Sequence, residues 1–158
     1  MRSALLRLLV IGAVSGALAA CSGSSTSPTT TTSSTTTATN PTNDILTGTV
    51  GIPVNGTLQS SSNPFTVSLS GGTITITMTS AVETLPDNTL LSTVTMGLSV
   101  GTWANNTCTP IANAFTVAQG GSTPHLSGTI NAGAYCVTVS DVTNQVGPVN
   151  YAVAVSHY

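Results

Sequence analysis

From Ile45 to Tyr158, apolar and polar residues alternate with a period of two. Thr73-Ile74-Thr75-Ile76-Thr77-Met78-Thr79 does so strictly, as a strand with one buried and one solvated face requires. Val94, Met96, Leu98 and Val100 repeat the pattern, as do Tyr135, Val137 and Val139, and then Tyr151, Val153 and Val155. Phe65, Val67 and Leu69 form a shorter run, entered by Pro64 and closed by Gly71-Gly72. Phe115-Thr116-Val117 and His125-Leu126-Ser127 read as weaker strands. No window carries the stripe of an amphipathic helix, and Gly, Pro or Asn recurs about every ten residues. Residues 45–158 are therefore expected to form one all-β domain, an antiparallel β-sandwich of two sheets packed face to face.

The pattern upstream is different. Met1–Arg7 carries two positive charges, and Leu8–Ala20 is an apolar run broken only by Gly12, Ser15 and Gly16. A membrane-spanning helix needs about 20 apolar residues, so this shorter run reads as an export signal over residues 1–20. Leu18-Ala19-Ala20-Cys21 resembles the lipobox of bacterial lipoproteins, in which cleavage precedes the cysteine and the cysteine is lipidated. That resemblance implies a protein anchored to a membrane by Cys21 without spanning it. Ser22 stands where the retention signal of inner-membrane lipoproteins has aspartate, which favours an outer-membrane destination. Residues 21–44 are rich in Ser and Thr, with Thr29–Thr32 and Thr35–Thr37 as runs. They lack the apolar side chains that offset ordering entropy and are expected to form a disordered stalk.

Charge narrows the chemistry. Only 4% of the 158 residues are charged, and after Arg7 there is no Lys or Arg at all. Nucleic-acid binding, arginine clamps, Schiff-base lysines and phosphate-binding P-loops all need those side chains and are excluded. The only acids are Asp44, Glu83, Asp87 and Asp141. The solvated strand faces therefore consist of Thr and Ser, without the charged gatekeepers that usually protect sheet edges.

If Cys21 is lipidated, Cys108 and Cys136 remain as an even pair in an oxidising compartment. Cys136 has the opposite parity to Tyr135 and Val137, and Cys108 is expected in a polar loop stretch, Asn105–Pro110. The expected disulfide ties that stretch to the outer face of the Tyr135–Val139 strand. It closes a loop of about 29 residues, worth roughly 3–4 kcal/mol in the chain-entropy account. No C-x-x-C or H-x-x-H spacing suggests zinc.

The domain resembles the bacterial pre-peptidase C-terminal family over essentially all of residues 43–158. The matching residues are Asn43-Asp44, Val54-Asn55-Gly56-Thr57-Leu58, Phe65–Leu69 with Gly71-Gly72 and Ile74–Met78, Ala132–Val139, and Tyr151–Val155. The resemblance implies a jelly-roll-like sandwich accompanying secreted enzymes. Some relatives bind calcium with acids before the first strand and at a turn before the F-x-V strand. Here the second position reads Ser60-Ser61-Ser62-Asn63-Pro64, with no carboxylate, and of those ligands only Asn43 and Asp44 remain. No metal or cofactor is expected.

Candidate sites are few. Gly97-Leu98-Ser99-Val100-Gly101 matches the G-x-S-x-G elbow of serine hydrolases, with Asp141 and His157 following in hydrolase order. The elbow needs a helix after the serine, and Thr102–Pro110 cannot supply one. The row Thr73, Thr75, Thr77, Thr79 is similar to those of ice-binding solenoids but occurs once, and a solvated strand face accounts for it. Trp103, with Asn105 and Asn106, offers an aromatic face and amides of the kind that bind sugars, although a core or loop-anchoring Trp is the favoured reading. His125 and His157 lie on separate segments without a visible carboxylate partner and are expected at the surface. The function expected is that of a non-catalytic, membrane-anchored surface lipoprotein used in adhesion, envelope structure or binding of a glycan or surface protein. The alternative is a carbohydrate- or matrix-binding accessory module, with a small serine hydrolase a distant third.

Overall fold

The computed structural model describes residues 40–68 and 72–158; the expected export signal, Cys21 and the expected stalk up to residue 39 lie outside them. The described chain forms nine strands. They are β1 (Thr42–Val50), β2 (Ser60–Val67), β3 (Gly72–Thr84), β4 (Leu90–Leu91), β5 (Met96–Ala104), β6 (Thr107–Ala118), β7 (Leu126–Ile130), β8 (Gly133–Ser140) and β9 (Val149–His157). One sheet runs β1-β9-β3, with β4 and β7 both pairing β3; the other runs β2-β8-β5-β6. All pairings are antiparallel.

The pairing is that of a jelly roll. The β5–β6 hairpin is the innermost rung of a ribbon whose successive rungs are β3 with β7, β2 with β8, and β1 with β9. The ribbon folds over so that β9 meets β3 and β8 meets β5, closing a five-stranded layer, with β4 at its edge, over a four-stranded one. Alternation along each strand then fills the space between the layers. Ile74, Ile76, Met78, Met96, Leu98, Val137, Val139, Val153 and Val155 are all buried there, and the threonines between them face out. The β-sandwich expected from the period-two pattern is the fold observed.

Two local expectations need correction. β1 starts at Thr42, so Asn43 and Asp44 are strand residues instead of part of the stalk. They are held by pairing with Ser156 and Val155 on β9, a long-range partner that composition cannot reveal. Ser60–Pro64 is strand instead of turn. Pro64 is tolerated because β2 is an edge strand, where a missing N–H removes no ladder bond.

Candidate binding surface

The β5–β6 hairpin carries the residues that sequence singled out. Asn105 and Asn106 form its tip, with φ of 51° and 57°. Two successive left-handed residues make the type I′ turn that matches strand twist, and Asn is among the few side chains that adopt it cheaply. Both asparagines are exposed, so their amides remain available while their backbone serves the turn. Trp103 pairs with Cys108 and is half-buried.

Cys108 and Cys136 form the expected disulfide, with Cα atoms 5.8 Å apart. β5 lies between β6 and β8 in the sheet, and strands one apart are ordinarily separated by roughly twice 4.8 Å. The start of β6 therefore curls over the outer face of β5 to reach β8. It crosses at Gly101, which pairs with both Pro110 and Cys136. A Cβ there would fall 2.5 Å from the Thr109 carbonyl oxygen and 2.9 Å from Cys108 Sγ. Thr138 Oγ1 donates to Cys108 Sγ at 3.2 Å. Cys108 is thus a strand residue, not part of a loop, and Cys136 is fully buried beneath it.

The same hairpin is interrupted in its middle. Ser99 pairs with Phe115 and Gly101 with Pro110, so Ile111–Ala114 stand opposite Val100 alone. Asn113 takes φ 64° within this bulge. The bulge holds the open side of the sandwich apart and leaves a cleft of about 220 Å³ between itself and Leu126–Ile130 of β7. Ile74, Ile76 and Val100 floor the cleft, and Asn113, Ser127 and Thr129 also line it. Ligand sites for drug-sized molecules run to roughly 300–1,000 Å³, so this one suits a small aliphatic group or a single apolar side chain. Sequence reading missed it. The available signal was Asn113 inside an otherwise strand-like stretch.

Beyond the bulge β6 turns its larger apolar side chains outward. Phe115 and Val117 are 56% and 52% exposed, while Ala114 and Ala118 face the core. Phe115 borders Gly97, where a Cβ would fall 3.1 Å from its ring and 2.5 Å from Ser140 Oγ.

Ser99, Asp141 and His157 are not brought together as a hydrolase reading requires. Ser99 lies on the outer face of β5, opposite in parity to buried Leu98 and Val100. Asp141 Oδ1 accepts the N–H groups of Thr143 and Asn144 at 2.8 and 3.2 Å. His157, expected at the surface, is 2% exposed. It continues the inward parity of Tyr151, Val153 and Val155, with its ring 5.8 Å from that of Phe65. Its partner is Asp44, whose Oδ2 lies 3.0 Å from Nε2. His125 is also engaged, its Nδ1 accepting the Met78 N–H at the β3 irregularity between Met78 and Ser80. Among the described residues no group of three or more His, Cys, Asp or Glu side chains is placed to hold a metal ion. No family model, curated protein or solved structure matches the chain.

Proposed function

We propose that the protein is an exported lipoprotein whose β-sandwich is a non-catalytic binding module tethered by a lipid on Cys21. The observation that carries this reading is the Cys108–Cys136 disulfide, which uses both cysteines of the domain. It fits an oxidising compartment and leaves Cys21 as the one other cysteine, directly behind an apolar leader and within a lipobox-like tetrapeptide. An accessory or adhesive role is what the resemblance to pre-peptidase C-terminal domains implies, and a jelly-roll sandwich is compatible with it. Two acyl signals or more hold a protein at a membrane essentially permanently.

The binding surface is the bulged edge of β6. With no Lys or Arg after residue 7, recognition rests on apolar contacts, hydroxyls and amides. The cleft takes a small apolar group, and exposed Phe115 and Val117 extend the apolar surface on the same strand. A surface protein offering an aliphatic side chain meets this chemistry. A second reading, a carbohydrate or matrix polymer, is favoured by half-exposed Trp103 next to the free amides of Asn105 and Asn106.

Metabolic labelling with palmitate tests the anchor. The full chain takes up label and partitions into detergent, and Cys21→Ser does neither. Recovery of the uncleaved, unlabelled chain from the cytosol overturns the reading. Pull-down on polysaccharide panels, lost in Trp103→Ala, selects the second binding mode.

A further inference from the structure

We infer that the Asp141–Gly147 loop, together with Glu83, forms a calcium-binding site at the closed end of the sandwich. Asp141 extends the inward parity of Val137 and Val139 on β8 and is 3% exposed. Glu83 extends that of Ala81 on β3 and is 2% exposed. Both strands end where the 141–148 loop crosses from one sheet to the other, so two carboxyl groups enter the interior under one loop.

Hydrogen bonds pin all three side chains to that loop. Glu83 Oε1 accepts from the N–H groups of Val146 and Gly147 at 2.5 and 2.7 Å. Gln145, 9% exposed, folds back so that its Nε2 donates to the Gly147 carbonyl at 3.4 Å. Asp141 Oδ1 takes the two N–H groups of Thr143 and Asn144. What remains is the signal: Asp141 Oδ2 and Gln145 Oε1 are both buried acceptors without any partner. The one other such side-chain atom among the described residues is His157 Nδ1, in a different pair.

Buried oxygen acceptors need a donor or a positive charge. No cationic side chain of the domain supplies one. There is no Lys or Arg after Arg7, and His125 and His157 are committed to Met78 and Asp44. A cation from solution meets this need. Carboxylate, amide and main-chain carbonyl oxygens are hard ligands that select calcium over zinc, copper or iron. Flexible coordination by six to eight oxygens suits a loop rich in carbonyls better than the strict octahedron of magnesium does. This site is separate from the Asn43–Asp44 position, where Asp44 is taken by His157.

The test is calorimetric calcium titration and thermal unfolding of the full chain in detergent, in chelator and in calcium at fixed ionic strength. Calcium at about 100 times its Kd raises the unfolding midpoint of the wild type by about 10 °C. Asp141→Asn keeps an oxygen for Thr143 and Asn144 but replaces Oδ2 with an N–H donor. It removes the calcium response and at least about tenfold of the affinity, one ligand's worth. Gln145→Met, which leaves both carboxylates, weakens the response independently should Asp141→Asn fail to fold. A wild type indifferent to calcium up to about 10 mM, well above the weakest extracellular sites, overturns the inference. A full calcium response retained in Asp141→Asn also overturns it.

Discussion

Tyr151 shows how one side chain can join the two layers. It rises from β9, donates its hydroxyl to Ser61 Oγ at 2.8 Å and accepts from Asn63 Nδ2 at 2.7 Å, both on β2 of the opposite sheet. Gly48 beside it makes room, because a Cβ there would lie 2.5 Å from the phenol oxygen. Burial pushes the Tyr151 hydroxyl above its ordinary pKa, partly offset by its hydrogen bonds with Ser61 and Asn63. The neutral phenol is therefore the form the fold favours. Its contribution is complete below about pH 10 and is lost as pH rises through the elevated folded value. Tyr151→Phe is expected to cost about 1–3 kcal/mol in urea unfolding at neutral pH, because Asn63 loses its acceptor, and to flatten part of the alkaline limb. Gly101 is the second such residue. Gly101→Ala is expected to destabilise by about 1–3 kcal/mol, since the new methyl meets main-chain atoms of Thr109 that the disulfide holds in place. Tyr151 was legible as a core position from its parity. Its hydroxyl partners were not, being 88 and 90 residues away.

At the scale of elements, the β5–β6 hairpin combines features that sequence gives unequally. The apolar row Val94, Met96, Leu98, Val100 announces its first strand, and all four residues are buried. The Asn105-Asn106 pair is a turn signal in its own right. β6 misleads, because Phe115 and Val117 suggest an inward face, yet they point to solvent while Ala114 and Ala118 face inward. The Ile111–Ala114 bulge intervenes between the disulfide end and this segment, and each extra residue reverses parity. The disulfide fixes the hairpin across β5. Replacing both Cys108 and Cys136 with Ala is expected to lower stability by roughly 3–4 kcal/mol, read from the urea midpoint against the oxidised wild type. A far smaller loss would mean that the curl of β6 is held by its strand pairing alone.

Across the whole domain, cohesion comes from packing and hydrogen bonds with almost no help from charge. One flank of the sandwich, between β1 and β2, is laced by Asn63 to the Thr47 carbonyl and by Tyr151 to Ser61. The opposite flank, between β6 and β7, is left open by the bulge and holds the cleft. The only ion pair among the described residues is His157–Asp44, which requires a protonated imidazole. With one such pair and no Lys or Arg after Arg7, stability should depend little on salt. Urea midpoints at about 0.05 and 0.5 M NaCl are expected to agree within error, whereas a domain held by surface ion pairs weakens as the Debye length shrinks over that range. A marked fall in midpoint would reveal electrostatic cohesion that the geometry does not contain.

Alternation every second residue was enough to specify most strands, the inward faces of all but β6 among the clear ones, and a two-layer architecture, because the period of a pleated strand is written locally in side-chain polarity. The even cysteine pair, the leader and the lipobox-like tetrapeptide are local signals as well. Pairing partners are a different matter. Which strand lies beside which, that Asp44 meets His157, that Ile111–Ala114 bulge to open a cleft, and that Asp141 and Glu83 enter the interior under one loop all depend on contacts far apart in the chain. Such contacts exist only once the ribbon has folded over on itself, since no run of neighbouring residues encodes the distance between two strands 60 or 110 positions apart.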